Sequence, residues 1–90
     1  MYDSFDLWIA AKDGNTAMVR RLLQCPNIDP SFKNNVALRW AAQNGHIDVV
    51  KILMYDKRVD VTDFNNYALI NALNNKHIEI AILLCQAQSI

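Results

Sequence analysis

Two histidines, His46 and His77, are the side chains best suited to acid–base chemistry or metal binding, and they stand 31 residues apart. Asp48 follows His46 by two residues, a spacing that points the two side chains in different directions at the start of a helix. Cys25 and Cys85 complete no zinc-ligand pattern with either histidine. These residues therefore predict neither a catalytic pair nor a metal site, and we expect no enzyme activity.

The composition excludes several other functions. Gly14 and Gly45 are the only glycines, so no glycine-rich phosphate loop exists to bind a cofactor. Nine basic residues balance nine acidic ones, which removes the charge that drives non-specific nucleic-acid binding. No apolar run approaches the roughly 20 residues that cross a bilayer, and no signal segment follows Met1. We expect a cytoplasmic protein with reduced cysteines and no cofactor, nucleic-acid partner or membrane partner.

The chain is built on an internal repeat of 31 residues. Shifted by that offset, residues 5–35 match residues 36–66 at nine positions without a gap, where chance gives roughly two. We therefore predict one domain over residues 1–90, with repeats at about 5–35, 36–66 and 67–90. The matched positions of the first repeat are Leu7, Ala10, Ala11, Gly14, Val19, Leu22, Asp29, Asn34 and Asn35.

Each repeat predicts two short helices. Leu38, Ala41 and Ala42 have the i, i+3, i+4 spacing of one helical face. After a turn at Asn44-Gly45, this spacing is repeated by Val49, Val50, Leu53 and Met54. Polar segments that read as a turn or hairpin join one repeat to the next. Helices this short are unstable alone in water, so stacking must stabilise them. Good N-cap residue types recur at one repeat position, as Ser4, Asn35 and Asn66.

The middle repeat resembles the ankyrin repeat. The segment ALRWAAQNGHIDVVKILM is similar to the family pattern Thr-Pro-Leu-His-x-Ala-Ala-x-x-Gly-His-x-x-Val-Val-x-x-Leu-Leu. The resemblance implies an all-α solenoid of helix-turn-helix repeats with short hairpin connections. It also implies that His46 and His77 pack at the turns and bond neighbouring backbone. The residue pattern of the repeat resembles that of ankyrin proteins from protists and giant DNA viruses. If this protein is viral, the resemblance implies that it acts in the host cytoplasm.

Two departures from the family pattern stand out. The Thr-Pro-Leu-His tetrad is replaced by residues 36–39 and 67–70, so we expect the helix cap one residue earlier, at Asn35 and Asn66. Lys76 occupies the third glycine position, where a positive φ is strained unless Asn75 takes the turn.

Four aromatic residues are candidates for ligand contact. Trp8 and Trp40 lie beside small alanines, which favours a space-filling role between stacked helices. Phe32 and Phe64 lie within the polar connections, where each is equally consistent with a binding hot spot or with a cover for the base of the connection.

The resemblance implies that an unidentified protein partner binds the hairpin tips and the surface of the first helices, without catalysis. By position, this surface also includes Lys12 and Asp13 at the end of the first helix. The main expected contact residues are Phe32, Lys33, Asn34, Asp63, Phe64, Asn65, Gln43, Asn44, Asn74 and Asn75.

The last helix leads to an alternative function. Ile82 stands where the other repeats have Arg20 and Lys51, and Leu83 follows it. A terminal solenoid repeat normally needs a polar outer face. Further repeats, a host partner or a second copy would each cover this surface. The alternative is therefore a structural fragment of a longer array that dimerises through Ile82 and Leu83.

Overall fold

The computed structural model describes residues 1–88, which form three pairs of helices and contain no strand. The predicted all-α helix-turn-helix architecture is confirmed. The first pair is α1 (Ser4–Asp13) and α2 (Thr16–Leu23), the second is α3 (Phe32–Gln43) and α4 (Ile47–Met54), and the third is α5 (Asp63–Asn74) and α6 (Ile78–Ala87).

Stacking of the pairs builds one continuous core. The first helices α1, α3 and α5 pack side by side, and α2, α4 and α6 form a second row behind them. Five core side chains are fully buried: Val19, Ala41, Ala42, Val50 and Leu53. The small alanines of the first helices let neighbouring helices approach closely, while branched residues of the second helices fill the space between rows.

All three predicted helix caps, Ser4, Asn35 and Asn66, are wrong. Asp3, one residue before Ser4, caps α1 in a capping box, because its Oδ1 accepts from the backbone N–H groups of Phe5 and Asp6. Asn35 has a φ of 57° and gives its amide to the next repeat, so it makes no side-chain cap bond to its own helix. A buried amide is better satisfied between two repeats than by one exposed helix end.

Asn66 makes no cap bond either, and with its two predecessors it forms a left-handed turn. Residues 64–66, like residues 33–35, have φ values between 51° and 61°. Three consecutive left-handed residues reverse the twist of the chain just before the right-handed helix begins. Asparagine tolerates this conformation because its short polar side chain bonds locally, which explains why two of the three residues are Asn in each turn.

Substitution of Leu53 by Ala tests the core. Leu53 is 0% exposed. We expect Leu53→Ala to lower the unfolding free energy by about 2–5 kcal/mol, since it removes buried contacts and leaves a cavity. Urea denaturation measures the change. Tyr55→Ala, at an 88% exposed position just beyond α4, is the control and should alter stability by less than about 0.5 kcal/mol. A loss below about 1 kcal/mol for Leu53→Ala would contradict the helix assignment.

Candidate functional site

The two histidines join each repeat to the one before it. His46 Nε2 lies 2.9 Å from the carbonyl oxygen of Lys12, and His77 Nε2 lies 3.0 Å from that of Gln43. Both oxygens belong to the last turn of a preceding first helix, where carbonyl groups lack a helical partner. The predicted packing role of the histidines is confirmed, because Nε2 of each ring contacts the backbone of the preceding repeat.

Glycine is required beneath each histidine ring. Gly14 and Gly45 have φ values of 75° and 79°, and a Cβ on either would lie 2.7 Å from an atom of the His46 or His77 ring. The third equivalent residue, Lys76, has a φ of 62°. Asn75, just before it, has a φ of −100°, so Asn75 does not take the turn and Lys76 itself adopts the strained positive φ.

The structure offers little for catalysis or metal binding. Among residues 1–88, no three His, Cys, Asp or Glu side chains come together to hold a metal ion. A groove of about 500 Å³ between α2 and α4 is lined by Arg20, Lys51 and Asp48, with Tyr55 at its edge. It is open to solvent and contains no nucleophile paired with a base. Such a groove lacks the convergent groups of an active site.

Aromatic rings form a continuous cluster along the first helices. Phe32 packs edge-on against Phe5 with ring centroids 5.1 Å apart, and Phe5 lies 6.0 Å from Trp8. Trp8 in turn lies 6.5 Å from Trp40, across the boundary between two repeats. Trp8, Trp40 and Phe32 are half-buried, and Phe5 is 45% exposed. The tryptophans thus fill space between helices, as predicted, while the cluster as a whole reaches the surface.

Lysine side chains border this cluster. Lys33 Nζ lies 5.9 Å from the centroid of the Phe5 ring and 5.6 Å from that of Phe32, and Lys12 Nζ lies 6.0 Å from that of Trp8. Ammonium groups at this distance are attracted by the negative face of an aromatic ring. The surface is therefore apolar in its centre and positive at its margin.

A second aromatic cluster lies at the start of α5. The Phe64 and Tyr67 rings are 5.2 Å apart, and the Arg39 guanidinium carbon lies 4.9 Å from the Phe64 centroid and 5.5 Å from that of Tyr67. Arg39 also donates to the carbonyl oxygens of Asn34 at 3.0 Å and Lys33 at 2.9 Å. The left-handed turn thus directs its carbonyl groups at Arg39 and holds this cation between the repeats.

Several predicted contact residues have bonds within the chain. Asp63 Oδ2 accepts from Asn35 Nδ2 at 2.8 Å, and Gln43 Oε1 accepts from an Asn71 amide at 3.3 Å. Asn44 donates to the carbonyl oxygen of Lys12 at 3.0 Å, and Asn75 to that of Asn71 at 2.8 Å. Asn34, Asn65 and Asn74 are exposed. Some of the predicted residues are therefore hydrogen-bonded within the chain and others face solvent, while Asn44 and Asn75 do both.

Arg39 and Phe5 are members of the clusters that the sequence reasoning missed. Arg39 stands where the family pattern has His, and this replacement is the one feature of the sequence that could have identified Arg39 as a candidate contact residue. Phe5 lies before the first matched position of the repeat, so its pairing with Phe32 follows only from how the repeats stack. Ile82, predicted for self-association, is 51% exposed, and Leu83 is half-buried.

Short turns before α3 and α5 are fixed by two aspartates. Asp29 Oδ1 accepts from the Ser31 backbone N–H at 2.9 Å and from its hydroxyl at 2.6 Å, and Asp60 makes the same pair of bonds to Thr62. These bonds, led by the one from the hydroxyl, lower the pKa of both carboxyl groups below the usual 3.8.

Comparison with known proteins identifies the repeat. The sequence profile of the family described as ankyrin repeats (3 copies) matches residues 7–65, well over half of the chain. A search of curated proteins finds no match. None of the helices within residues 1–88 is long and apolar enough to cross a membrane.

A methyl group at Gly45 should disrupt the contact between the second and third repeats. We expect Gly45→Ala to cost about 2 kcal/mol or more, because it adds both steric conflict with His77 and strain at positive φ. Urea denaturation of Gly45→Ala, His77→Ala and the double variant separates the steric conflict with His77 from the backbone strain at residue 45. Because the ring is already gone, the double variant should lose less than the sum of the singles. Strict additivity would show that the ring and the methyl group do not meet.

Stability should fall in acid as the turn aspartates are protonated. Because the pKa of Asp60 is lower in the folded state, its contribution is present above pH 3.8 and is lost as the pH drops through the folded-state pKa. Thr62→Ala removes the hydroxyl that lowers this pKa, so the loss on acidification should be smaller in that variant. Urea denaturation between pH 6 and about pH 2.5 measures the difference. An equal loss in both proteins would contradict this origin.

Proposed function

The chain belongs to the ankyrin repeat family, whose members are generally protein–protein interaction modules, and on that premise we propose that it binds a protein partner without catalysis. The partner docks on the side formed by the connections and the first helices. We name this side the aromatic surface, and it comprises Phe5, Trp8, Phe32, Lys33, Arg39, Trp40, Phe64 and Tyr67.

The conformation of Phe64 is the observation that carries the proposal. Its φ is 59°, in the left-handed region that bulky residues rarely adopt, and its side chain is 48% exposed. A large ring in this conformation costs about 1–2 kcal/mol relative to the ordinary right-handed one. Because the ring is half-exposed, its burial in the free protein offsets only a small part of this strain. Strain kept at an exposed aromatic residue is typical of a ligand contact.

The charges around the rings indicate the chemistry of the partner. Lys12, Lys33 and Arg39 each approach an aromatic ring, and no carboxylate within residues 1–88 forms an ion pair with any of them. A complementary surface would present apolar or aromatic side chains to the centre and acidic side chains to the margin. Such charge complementarity speeds association and favours the correct partner.

The remaining predicted residues form the border of the aromatic surface. Asn34 and Asn65 are exposed within the left-handed turns beside Lys33 and Phe64. Their amides offer both donors and acceptors to a partner. A second border lies at the C-terminal end of the first helices and consists of the amides of Gln43, Asn44, Asn74 and Asn75. Asp63 holds the left-handed turn, because its Oδ1 accepts from the backbone N–H of Phe64 at 2.8 Å.

Two features support a non-catalytic role in the cytoplasm. The histidines bind backbone carbonyl groups between repeats, so the titratable groups best suited to catalysis are already in use. Cys25 is half-buried just past the end of α2, and its thiol lies 3.6 Å from the carbonyl oxygen of Arg21 in that helix. A thiol packed in this way is consistent with a reducing compartment.

Capture from a lysate of the protein's own source tests the proposal. Immobilised wild-type protein, Phe64→Ala and the control Tyr55→Ala are compared, and bound proteins are quantified by mass spectrometry. Tyr55 is an exposed aromatic residue on the opposite row of helices. We expect a partner that Tyr55→Ala retains and Phe64→Ala depletes about tenfold or more, as for a hot-spot residue. If every captured protein is recovered equally with Phe64→Ala, the proposal is wrong.

Substitution of Phe64 by Asn separates binding from folding. Asparagine tolerates the left-handed conformation, so relief of strain offsets the lost contacts with Tyr67 and Arg39. We therefore expect Phe64→Asn to change the unfolding free energy by less than about 1 kcal/mol while it abolishes partner capture. Urea denaturation gives the first quantity. A loss of more than about 2 kcal/mol would assign Phe64 to the fold instead of the interface.

A further inference from the structure

Arg39 is held between two repeats by contacts that fix the position of its charge. Its Nε donates to the carbonyl oxygen of Asn34 at 3.0 Å, and its Nη2 donates to that of Lys33 at 2.9 Å. Its guanidinium carbon lies 4.9 Å from the ring centroid of Phe64 and 5.5 Å from that of Tyr67. A planar guanidinium that is bonded along one edge and packed on rings keeps its orientation, so its remaining donors point in a fixed direction.

The other edge of this guanidinium has no partner in the part of the chain that the structure describes. The turn carbonyls occupy the edge formed by Nε and Nη2, and Nη1 makes no hydrogen bond within residues 1–88. The buried side-chain polar atoms without a partner there are Trp8 Nε1 and Asn66 Oδ1, so Nη1 of Arg39 is open to solvent. One N–H of Nη1 and the second N–H of Nη2 form a pair of parallel donors, which we name the free edge of Arg39.

Arg58 shows how this chain completes another arginine that bridges repeats. It donates to carbonyl oxygens of the preceding repeat, those of Ile28 at 3.0 Å and Leu23 at 3.4 Å. Both oxygens of Asp56 also accept from it, Oδ1 from Nε at 3.0 Å and Oδ2 from Nη2 at 2.8 Å. Arg58 is exposed and has a carboxylate, whereas Arg39 is half-buried and forms no ion pair among the described residues. Because the removal of a charge from water is costly without a counter-ion, Arg39 gains more than Arg58 from a carboxylate.

The acidic residue beside the Arg39 cluster is bonded elsewhere. Asp63 Oδ1 accepts from the backbone N–H of Phe64 at 2.8 Å, and its Oδ2 accepts from Asn35 Nδ2 at 2.8 Å. Both oxygens of this carboxylate therefore hold the turn and the neighbouring repeat. The fold thus brings a carboxylate close to Arg39 in the chain without directing it at the free edge.

We propose that the free edge of Arg39 binds an aspartate or glutamate carboxylate of the protein partner through two parallel hydrogen bonds. This inference rests on the proposed function, and it names the residue of the aromatic surface that selects the partner. Arginine–carboxylate pairs of this kind are strong and fix the orientation of both groups. Phe64 and Tyr67 adjoin the free edge, so an apolar or aromatic side chain next to the acid packs on these rings.

A single guanidinium edge fits a carboxylate better than a phosphate. A phosphate group has up to two negative charges and three acceptor oxygens, and clusters of arginines bind it in proteins. The Lys33 ammonium group lies 5.9 Å and 5.6 Å from the ring centroids of Phe5 and Phe32, in the other aromatic cluster. It therefore does not join Arg39 at one anion, and the two oxygens of a carboxylate match the two donors of the free edge.

A small aromatic carboxylate tests the site without the natural partner. The probe is 3-phenylpropanoate, and its neutral control is 3-phenylpropanamide, which has the same ring and nearly the same shape. Binding is followed through the ¹⁵N-NMR signals of the Arg39 Nε–H group and the Phe64 backbone amide in the folded chain. We expect the carboxylate to bind with a Kd of about 1–10 mM and to shift both signals. The amide should bind at least about tenfold more weakly, because it offers the free edge one uncharged acceptor.

Three outcomes of this experiment overturn the inference. The first is equal affinity for the carboxylate and the amide, and the second is no binding of the carboxylate at concentrations up to about 50 mM. The third is tighter binding of phenyl phosphate at Arg39, which would replace the carboxylate by a phosphate. The proposed function does not fall with any of these results, because it is judged by whether Phe64→Ala depletes a captured partner.

Two substitutions separate the charge of Arg39 from its paired donors. Arg39→Gln removes the charge, and Arg39→Lys keeps the charge but lacks the planar pair of donors. We expect each to weaken binding of 3-phenylpropanoate about fivefold or more, with folding checked by urea denaturation. Arg21→Gln is the matched control, because Arg21 is an exposed cation in α2, and it should keep the wild-type Kd. Undiminished binding by folded Arg39→Gln overturns the inference, and if that variant unfolds, the two probes on the wild-type chain decide.

Discussion

Every helix in this protein depends on its neighbours for stability. The helices have between 8 and 12 residues, a length at which an isolated helix is marginal in water. Stability therefore comes from the contact between repeats, and the tightest part of that contact is the histidine ring over a glycine. The ring satisfies a helix-end carbonyl and fixes the distance between turns, which is why glycine has no substitute beneath it. Lys76 stands where the first two repeats have this glycine, and it takes the same positive φ, which makes the third repeat different from the others.

The same stacking places the groups that we assign to partner binding. Left-handed turns at the start of α3 and α5 reverse the chain, and the turn in α3 directs two carbonyl oxygens at Arg39. Arg39 is thereby fixed across a repeat boundary with its charge over Phe64 and Tyr67. The aromatic surface thus results from the packing of one repeat on the next. The left-handed conformation of Phe64 has a cost in free energy, and it leaves the ring 48% exposed. The framework positions keep the stack regular, so the intervening positions are free to differ from repeat to repeat.

The fold was predictable because the positions that determine it recur in every repeat. Leu38, Ala41 and Gly45 each have one packing task, and a shift of 31 residues reveals it directly. The left-handed turns were not predictable, since an Asn-rich segment is equally typical of a hairpin or a helix cap. Asn35 was assigned to its own helix end because the sequence does not show that Asp60 and Asp63 of the next repeat approach it. Contacts between non-equivalent residues, such as Phe5 with Phe32, leave no periodic signal.

Hydrogen exchange of backbone amides tests most directly the claim that each repeat is stabilised by the next. In dilute protein, amides of α6 should exchange faster than those of α4, because within residues 1–88 the third repeat has a neighbouring repeat on one side only. The helix α4, covered on both sides, should exchange slowly throughout. Equal protection of α4 and α6 in dilute protein would contradict the account, because it would mean that the third repeat is as stable with one neighbouring repeat as the second is with two.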